Sequence, residues 1–403
     1  MSRHAHTAAV AGFFTLLAFV LTWPLGLHLG RSLPAAPGEG TQDLWQNLWN
    51  LWWAGEALRR AVDPFTTDML YAPQGASLLF HPLNLTGGVV AAFPARPFRL
   101  PVAHHLLGRP GFRPGGFALY LLARRFGCGT TAAICAGIAY TAADYHVFQL
   151  SLGHLEHVSI QWLPLYALAL DHMLRASPPD RHAARRVTPA VLALLAVFFT
   201  SLYHALYAAI LTLMLLVMAG LASVSWPDRR RMLIDTLLLA GVVVAITGPL
   251  LLVPMLREAG SSGYMLRTID DAARGSIPLA GVVVPPPSHL LQALLPQPAV
   301  RGAFLGYSVL LAALIGLMAR PKSAAPWGIL ALLAWLLALG PILPFYQWLY
   351  TLPPIQAARY PGHFIILVLL GVALLAGLGI DTLVRRSGRL ALPVAGLCLL
   401  LVV

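Results

Sequence analysis

Asp43 opens the stretch in which this sequence concentrates its chemistry. From Thr41 to Arg60 it reads TQDLWQNLWNLWWAGEALRR. Asp43, Gln46, Asn47 and Asn50 fall at i, i+3, i+4 and i+7, so a helix gathers them into one polar stripe. Trp45, Trp49, Trp52 and Trp53 form an aromatic stripe on the same segment. A carboxylate in a first helical turn is favoured by the free N–H groups and the dipole there. Asp43 therefore either caps the helix or acts as a general base, with Asn47 one turn on as a substrate contact. Asp68, in TTDMLYAPQG, either caps a turn or contacts substrate. Glu39 lies between two glycines and reads as a solvated loop charge, and His81, before a proline, as a satisfied interfacial histidine.

His154, Glu156 and His157 cluster in GHLEH. The histidines stand at i, i+3 and not at the i, i+4 of a helical zinc pair, so the cluster reads as a turn or as the lining of a polar cavity, and no metal is assigned. Cys128, Cys135 and Cys398 have neither ligand nor disulfide spacing. No GxxxxGK[ST], HExxH or GxSxG pattern occurs, so ATPase, zincin and hydrolase chemistry have no support.

The elements that must position these groups are lipid-soluble. Mean hydropathy is +0.73, 58% of residues are apolar and 10% are charged. A water-soluble domain needs a charged surface that this composition does not supply. The net charge of +12 sits in short clusters between apolar runs: Arg124–Arg125, Arg175–Arg186, Arg229–Arg231, Arg320–Lys322 and Arg385–Arg389. That is the positive-inside pattern of cytoplasmic loops. No basic stripe interleaved with aromatics is present, which excludes nucleic acid as a partner.

A span needs roughly 20 mostly apolar residues. With Met1–Thr7 inside, the runs predict an all-α, polytopic bundle of about eleven spans in a bacterial inner membrane, its N-terminus cytoplasmic. One domain covers 1–403, with outer loops at 30–86, 257–301 and 344–362. The run Thr188–Ala222 is too long for one span, and Thr200, Ser201, Tyr203 and His204 mark an outer turn within it. Tryptophan prefers the headgroup level, so the Asp43 helix is expected to lie flat on the outer face as a juxtamembrane helix, its polar stripe towards a cavity among the spans.

An acid after the first span, then LWQNLWNLWW, then DPFTTDMLYAPQGASL, resembles bacterial polytopic proteins of the GT-C glycosyltransferase superfamily, in particular YfhO-like membrane proteins. GHLEHVSIQWLPLYALAL, SLYHALYA and QAARYPGHFIILVLLGVALLAGLGI resemble later parts of the same pattern, in the same order. The resemblance implies transfer of a sugar from a polyprenyl-phosphate donor to a glycan or lipid acceptor at the extracytoplasmic face. It implies an acid of the first outer loop as base or metal ligand, and only Asp43 matches that position. The loop has no DxD pair, so a divalent metal is possible but not called for. A lipid phosphate needs a cation, and the outer-face Arg359, in AARYPGHF, is the candidate. Asp68, His154, His157 and Asn47 complete the expected substrate-facing set. The rival classes are a lipid or polymer transporter, which would favour repeats and midplane charges, and a membrane scaffold using the Trp-rich helix.

Two stretches depart from the pattern. Residues 94–116 carry Arg96, Arg99, Arg109 and Arg113 and five prolines where topology calls for a span, and read as a frame-shifted segment between compensating indels. Val403 falls inside an apolar run, as expected of a truncated product.

Overall fold

The computed structural model of the chain describes residues 3–28, 33–34, 42–95, 100–175, 182–222, 225–262, 268–287, 289, 291–292, 302–352, 355–356, 359–388 and 393. It is helical almost throughout: α1 (Arg3–Leu21), α2 (Gln42–Arg60), α3 (Leu85–Ala95), α4 (Leu100–Arg125), α5 (Thr130–Thr141), α6 (Asp144–Leu152), α7 (Leu155–Val158), α8 (Trp162–Leu174), α9 (Ala183–Thr200), α10 (Leu202–Ala222), α11 (Trp226–Thr247), α12 (Val253–Ser262), α13 (Ile269–Arg274), α14 (Tyr307–Ala319), α15 (Pro321–Ala338), α16 (Tyr346–Leu349) and α17 (Ile365–Arg386). The strands among the described residues are β1 (Thr66–Thr67) and β2 (Ala76–Ser77), an antiparallel pair between α2 and α3.

Among the described residues, six helical stretches are long and apolar enough to cross a membrane: His4–Leu21, Ala183–Thr200, Leu202–Ala222, Trp226–Ala259, Pro321–Ala338 and Pro361–Arg386. Other predicted spans are shorter than expected. α5 and α8 have 12 and 13 residues, about 18–20 Å of rise against a hydrocarbon core of about 30 Å. The outer turn inside 188–222 is present as a break at Ser201, whose extended backbone (φ −164°, ψ 136°) separates α9 from α10. The arginine-rich stretch falls largely in α4, a continuous helix of 26 residues. The side chains of 96–112 lie outside the described residues, as do Glu39, Thr41, Arg267 and Cys398.

The chain divides into two compact units, interleaved in sequence. Unit 1 comprises Met1–Leu21, Pro110–Gln149 and Arg267–Val403. Its centre is α17, buried from Ile365 to Thr382 against α5, α14 and α15. Glycines allow the close approach: a Cβ on Gly379 would meet the Ala312 carbonyl of α14, and one on Gly316 the Leu375 carbonyl of α17. At the far end of α17, Asp381 accepts from Arg320 (2.5 Å), Arg385 (2.6 Å) and the Gly129 N–H (2.6 Å). Gly129 precedes α5, so one carboxylate answers an otherwise orphaned helix N-terminus and two cations.

Unit 2 comprises Thr22–Arg109 and Leu150–Leu266. α2 packs on α3, and α8, α9, α10 and α11 pack on one another. Arg186 of α9 makes a two-pronged bond to Asp235 of α11, both prongs 2.9 Å. Arg231 donates to the Met173 and Leu174 carbonyls at the end of α8. Pro249 lacks an N–H, and α11 passes there into a π-turn, Gly248–Leu252, before α12.

Candidate functional site

The Trp-rich segment forms the helix its periodicity predicts, and Asp43 stands in its first turn. The polar stripe is oriented differently from expectation. Asn47 and Asn50 are 2% and 1% exposed and spend their side chains on structure. Asn47 Nδ2 donates to the Asp43 carbonyl (3.0 Å), and Asn50 Nδ2 to the Pro82 carbonyl (3.0 Å). Asn50 Oδ1 then accepts from His81 Nε2 at 2.7 Å. Burying an amide without such partners costs free energy, so these two amides turn inward to be satisfied, while Asp43 of the same stripe stays exposed. Burial pushes the His81 pKa below its ordinary value.

The aromatic stripe explains the rest of the helix. Trp53 is 2% exposed, stacks on Trp49 at 5.9 Å and donates from Nε1 to the Pro64 carbonyl at 2.9 Å. Around it gather Ala57, Phe65, Leu78, Leu79, Leu83 and Leu251. Trp45, near Asp43, is 60% exposed.

Asp43 has a partner that no local pattern announces. His154 Nε2 lies 2.9 Å from Asp43 Oδ2, and the two side chains are 20% and 56% exposed. Gly153 makes this approach possible. Its φ of +80° suits glycine, and a Cβ there would stand 2.6 Å from Leu44 Cα. With no side chain, the 153–154 turn lies against the first turn of α2 and delivers the imidazole to the carboxylate. Next along α7, Glu156 and His157 are buried, with His157 Nε2 3.9 Å from Glu156 Oε1. The His157 ring lies 6.0 Å from that of His154 and 5.9 Å from that of His204. Among the described residues, no group of three or more His, Cys, Asp or Glu has the geometry of a metal site.

Asp68 lies elsewhere. With Arg60, Asp63, Gln74 and Ser77 it lines an open cleft of about 520 Å³ over the β1–β2 hairpin. That cleft is at the C-terminal end of α2, about 25 Å of helix rise from Asp43. Across the same region Ser77 donates to Glu258 Oε2 at 2.6 Å. Arg359 belongs to unit 1, apart in the chain's organisation from Asp43, Asn47, Asp68, His154 and His157, which all belong to unit 2. Its guanidinium carbon sits 4.9 Å over the Tyr360 ring, and its Nε has no hydrogen-bond partner among the described residues. Asp271 is a capping-box residue: it accepts from Thr268 and from Arg274, which hold its carboxyl below the usual range.

No family model matches the chain, and comparison with curated proteins and with solved structures also returns no match. Asp43 and His154 offer an accessible carboxylate oriented by an imidazole. Such a pair can accept a proton from a hydroxyl, or bind one, at a helix N-terminus.

Proposed function

We propose that the chain is a polytopic membrane glycosyltransferase in which Asp43, held by His154, is the general base. The observation that carries the reading is the 2.9 Å bond between His154 Nε2 and Asp43 Oδ2. An Asp43 that served only as a helix cap would turn its oxygens to the N–H groups of its own first turn. Here one oxygen meets an imidazole from a distant turn, while the side chain stays 56% exposed. The six span-length helices support placement in a membrane. The finer topology of this reading has about eleven spans, the N-terminus in the cytoplasm and α2 lying at the outer face of a bacterial inner membrane.

In the reaction proposed, an acceptor hydroxyl of a glycan or lipid attacks the anomeric carbon of a polyprenyl-phosphate-linked sugar. The new C–O bond forms as the bond to the phosphate oxygen breaks, the hydroxyl proton goes to Asp43, and polyprenyl phosphate leaves as an anion. His154 keeps the carboxylate oriented by donating from Nε2. Asp68 and the cleft it lines are assigned to a more distant part of a substrate.

The test is a panel of polyprenyl-phosphate sugars offered to the purified chain in lipid nanodiscs, with release of polyprenyl phosphate followed by mass spectrometry. Release from one donor, dependent on an added acceptor, supports the reading. No release from any donor, with transbilayer movement of a lipid instead, supports a transporter.

A further inference from the structure

A row of titratable side chains leads inward from Asp43 within unit 2. His154 is next to it, then Glu156 and His157, then His204 of α10, whose ring is 5.9 Å from that of Tyr207. Exposure falls along the row: 56% and 20% for the Asp43 and His154 side chains, 7% and 6% for those of Glu156 and His157, and 0% for His204.

Two of the inner members, Glu156 and His204, are incompletely satisfied. Glu156 Oε2 and both ring nitrogens of His204 have no hydrogen-bond partner among the described residues. No lysine or arginine pairs with Glu156 there, and its nearest ionic contact, His157 Nε2, is 3.9 Å away, beyond hydrogen-bond reach. The titratable groups around it are Asp43 of α2, His154 and His157 of its own turn, and Tyr203, His204 and Tyr207 of α10. Glu156 accepts from its own backbone N–H, but a buried carboxylate with one oxygen unpartnered and no lysine or arginine beside it is costly, whereas a carboxylic acid is less so. Orphaned polar atoms grouped in this way are where internal water binds.

We propose that Glu156, His157 and His204 form a buried proton-holding site that exchanges with the outer solution through His154 and Asp43. The ligand is a proton, carried on the Glu156 carboxyl and bridged to the imidazoles by water. Burial raises the Glu156 pKa; His154 pulls it back and the negative charge of Asp43 adds to the rise. Asp43 and His154 are the more exposed members at the outer end of the row. The site deepens the proposed chemistry by giving the proton taken from an acceptor a place to go, yet its existence does not depend on that chemistry.

The chain has only four glutamates, Glu39, Glu56, Glu156 and Glu258, which makes the proposal directly measurable. Arg59 and Arg60 hold the Glu56 carboxyl down at about 2, so it is ionised at neutral pH. With carboxyl-labelled glutamate in the full chain in nanodiscs, infrared spectra at pH 7 should show one protonated carboxyl, and Glu156→Gln should abolish that band. Four ionised glutamates, or a band that survives Glu156→Gln, would overturn the assignment, and the wild-type spectrum alone decides it should the variant not fold. In heavy water the same band should shift, at least tenfold more slowly in His154→Ala; an equally fast shift would overturn the route through His154. Absence of sugar transfer by the wild-type chain with the band present would count against the enzyme reading and not against the proton site.

Discussion

His154 meets Asp43 at 2.9 Å across 111 residues of chain, and it does so because Gly153 lets the backbone touch α2. Gly153→Ala places a Cβ against Leu44 at a positive φ, so the turn must lift and the imidazole must leave the carboxylate. Isotope-edited NMR of the histidine ring should show the Nε2 proton of His154 losing its hydrogen bond in this variant. An unchanged signal would mean that the turn tolerates the side chain and that the glycine does not position the pair.

If His154 orients the base, its replacement has graded effects. His154→Ala should lower transfer roughly tenfold to a hundredfold, less than the loss of about 10²–10⁴ expected for removing the base itself, because the carboxylate remains. His154→Gln retains an N–H donor and should recover part of the loss. Equal rates in the two variants would argue that the imidazole does more than donate one hydrogen bond.

His81 predicts an acid-sensitive anchor under α2. Its imidazole bonds Asn50, and burial lowers its folded pKa below the unfolded value of about 6.5. Between those two values the unfolded chain binds more protons, so this contribution to stability is complete above about pH 6.5 and is lost as pH falls towards the folded value. Thermal melts of His81→Gln, which keeps a donor for Asn50, should therefore depend less on pH between 7 and 5 than those of the wild type. Parallel curves would show that His81 does not carry the dependence.

The packing of α17 makes an independent prediction. Gly316→Val drives a branched side chain into the Leu375 carbonyl and the Gly379 N–H. Overpacking of this kind costs about 1–3 kcal/mol and should lower the melting temperature in detergent. Gly241 of α11 has open space where a Cβ would go, so Gly241→Ala is the matched control and should leave the melting temperature the same or higher.

Much of the helical architecture is legible in the residues. The apolar runs identify long membrane-compatible helices, and the polar residues at 200–204 place the break at Ser201. The i, i+3, i+4, i+7 spacing identifies α2 and sets Asp43 in its first turn. Periodicity says which residues share a face but not what the face meets, and the Asn47–Asn50 stripe proves to be an internal seam bonded to Pro82 and His81. The short pairing of Thr66–Thr67 with Ala76–Ser77 escapes notice because two-residue strands have no period to read. Helix length is also hidden: composition marks 130–143 and 158–174 as apolar, but Gly129 and the turn at 159–161 confine the helices there to 12 and 13 residues. The pairing of Asp43 with GHLEH is a tertiary contact. Its one local trace is the glycine before His154, which marks a turn without naming the partner.

Whether Asp43 takes the acceptor proton is decided by the initial rate of sugar transfer by the purified chain, wild type against Asp43→Asn. Asparagine keeps the size of the side chain and its place in the first turn of α2 but cannot accept the proton. With Asp43 as the base, the variant should be at least a hundredfold slower with its fold intact by circular dichroism. Transfer at the wild-type rate by Asp43→Asn would contradict it.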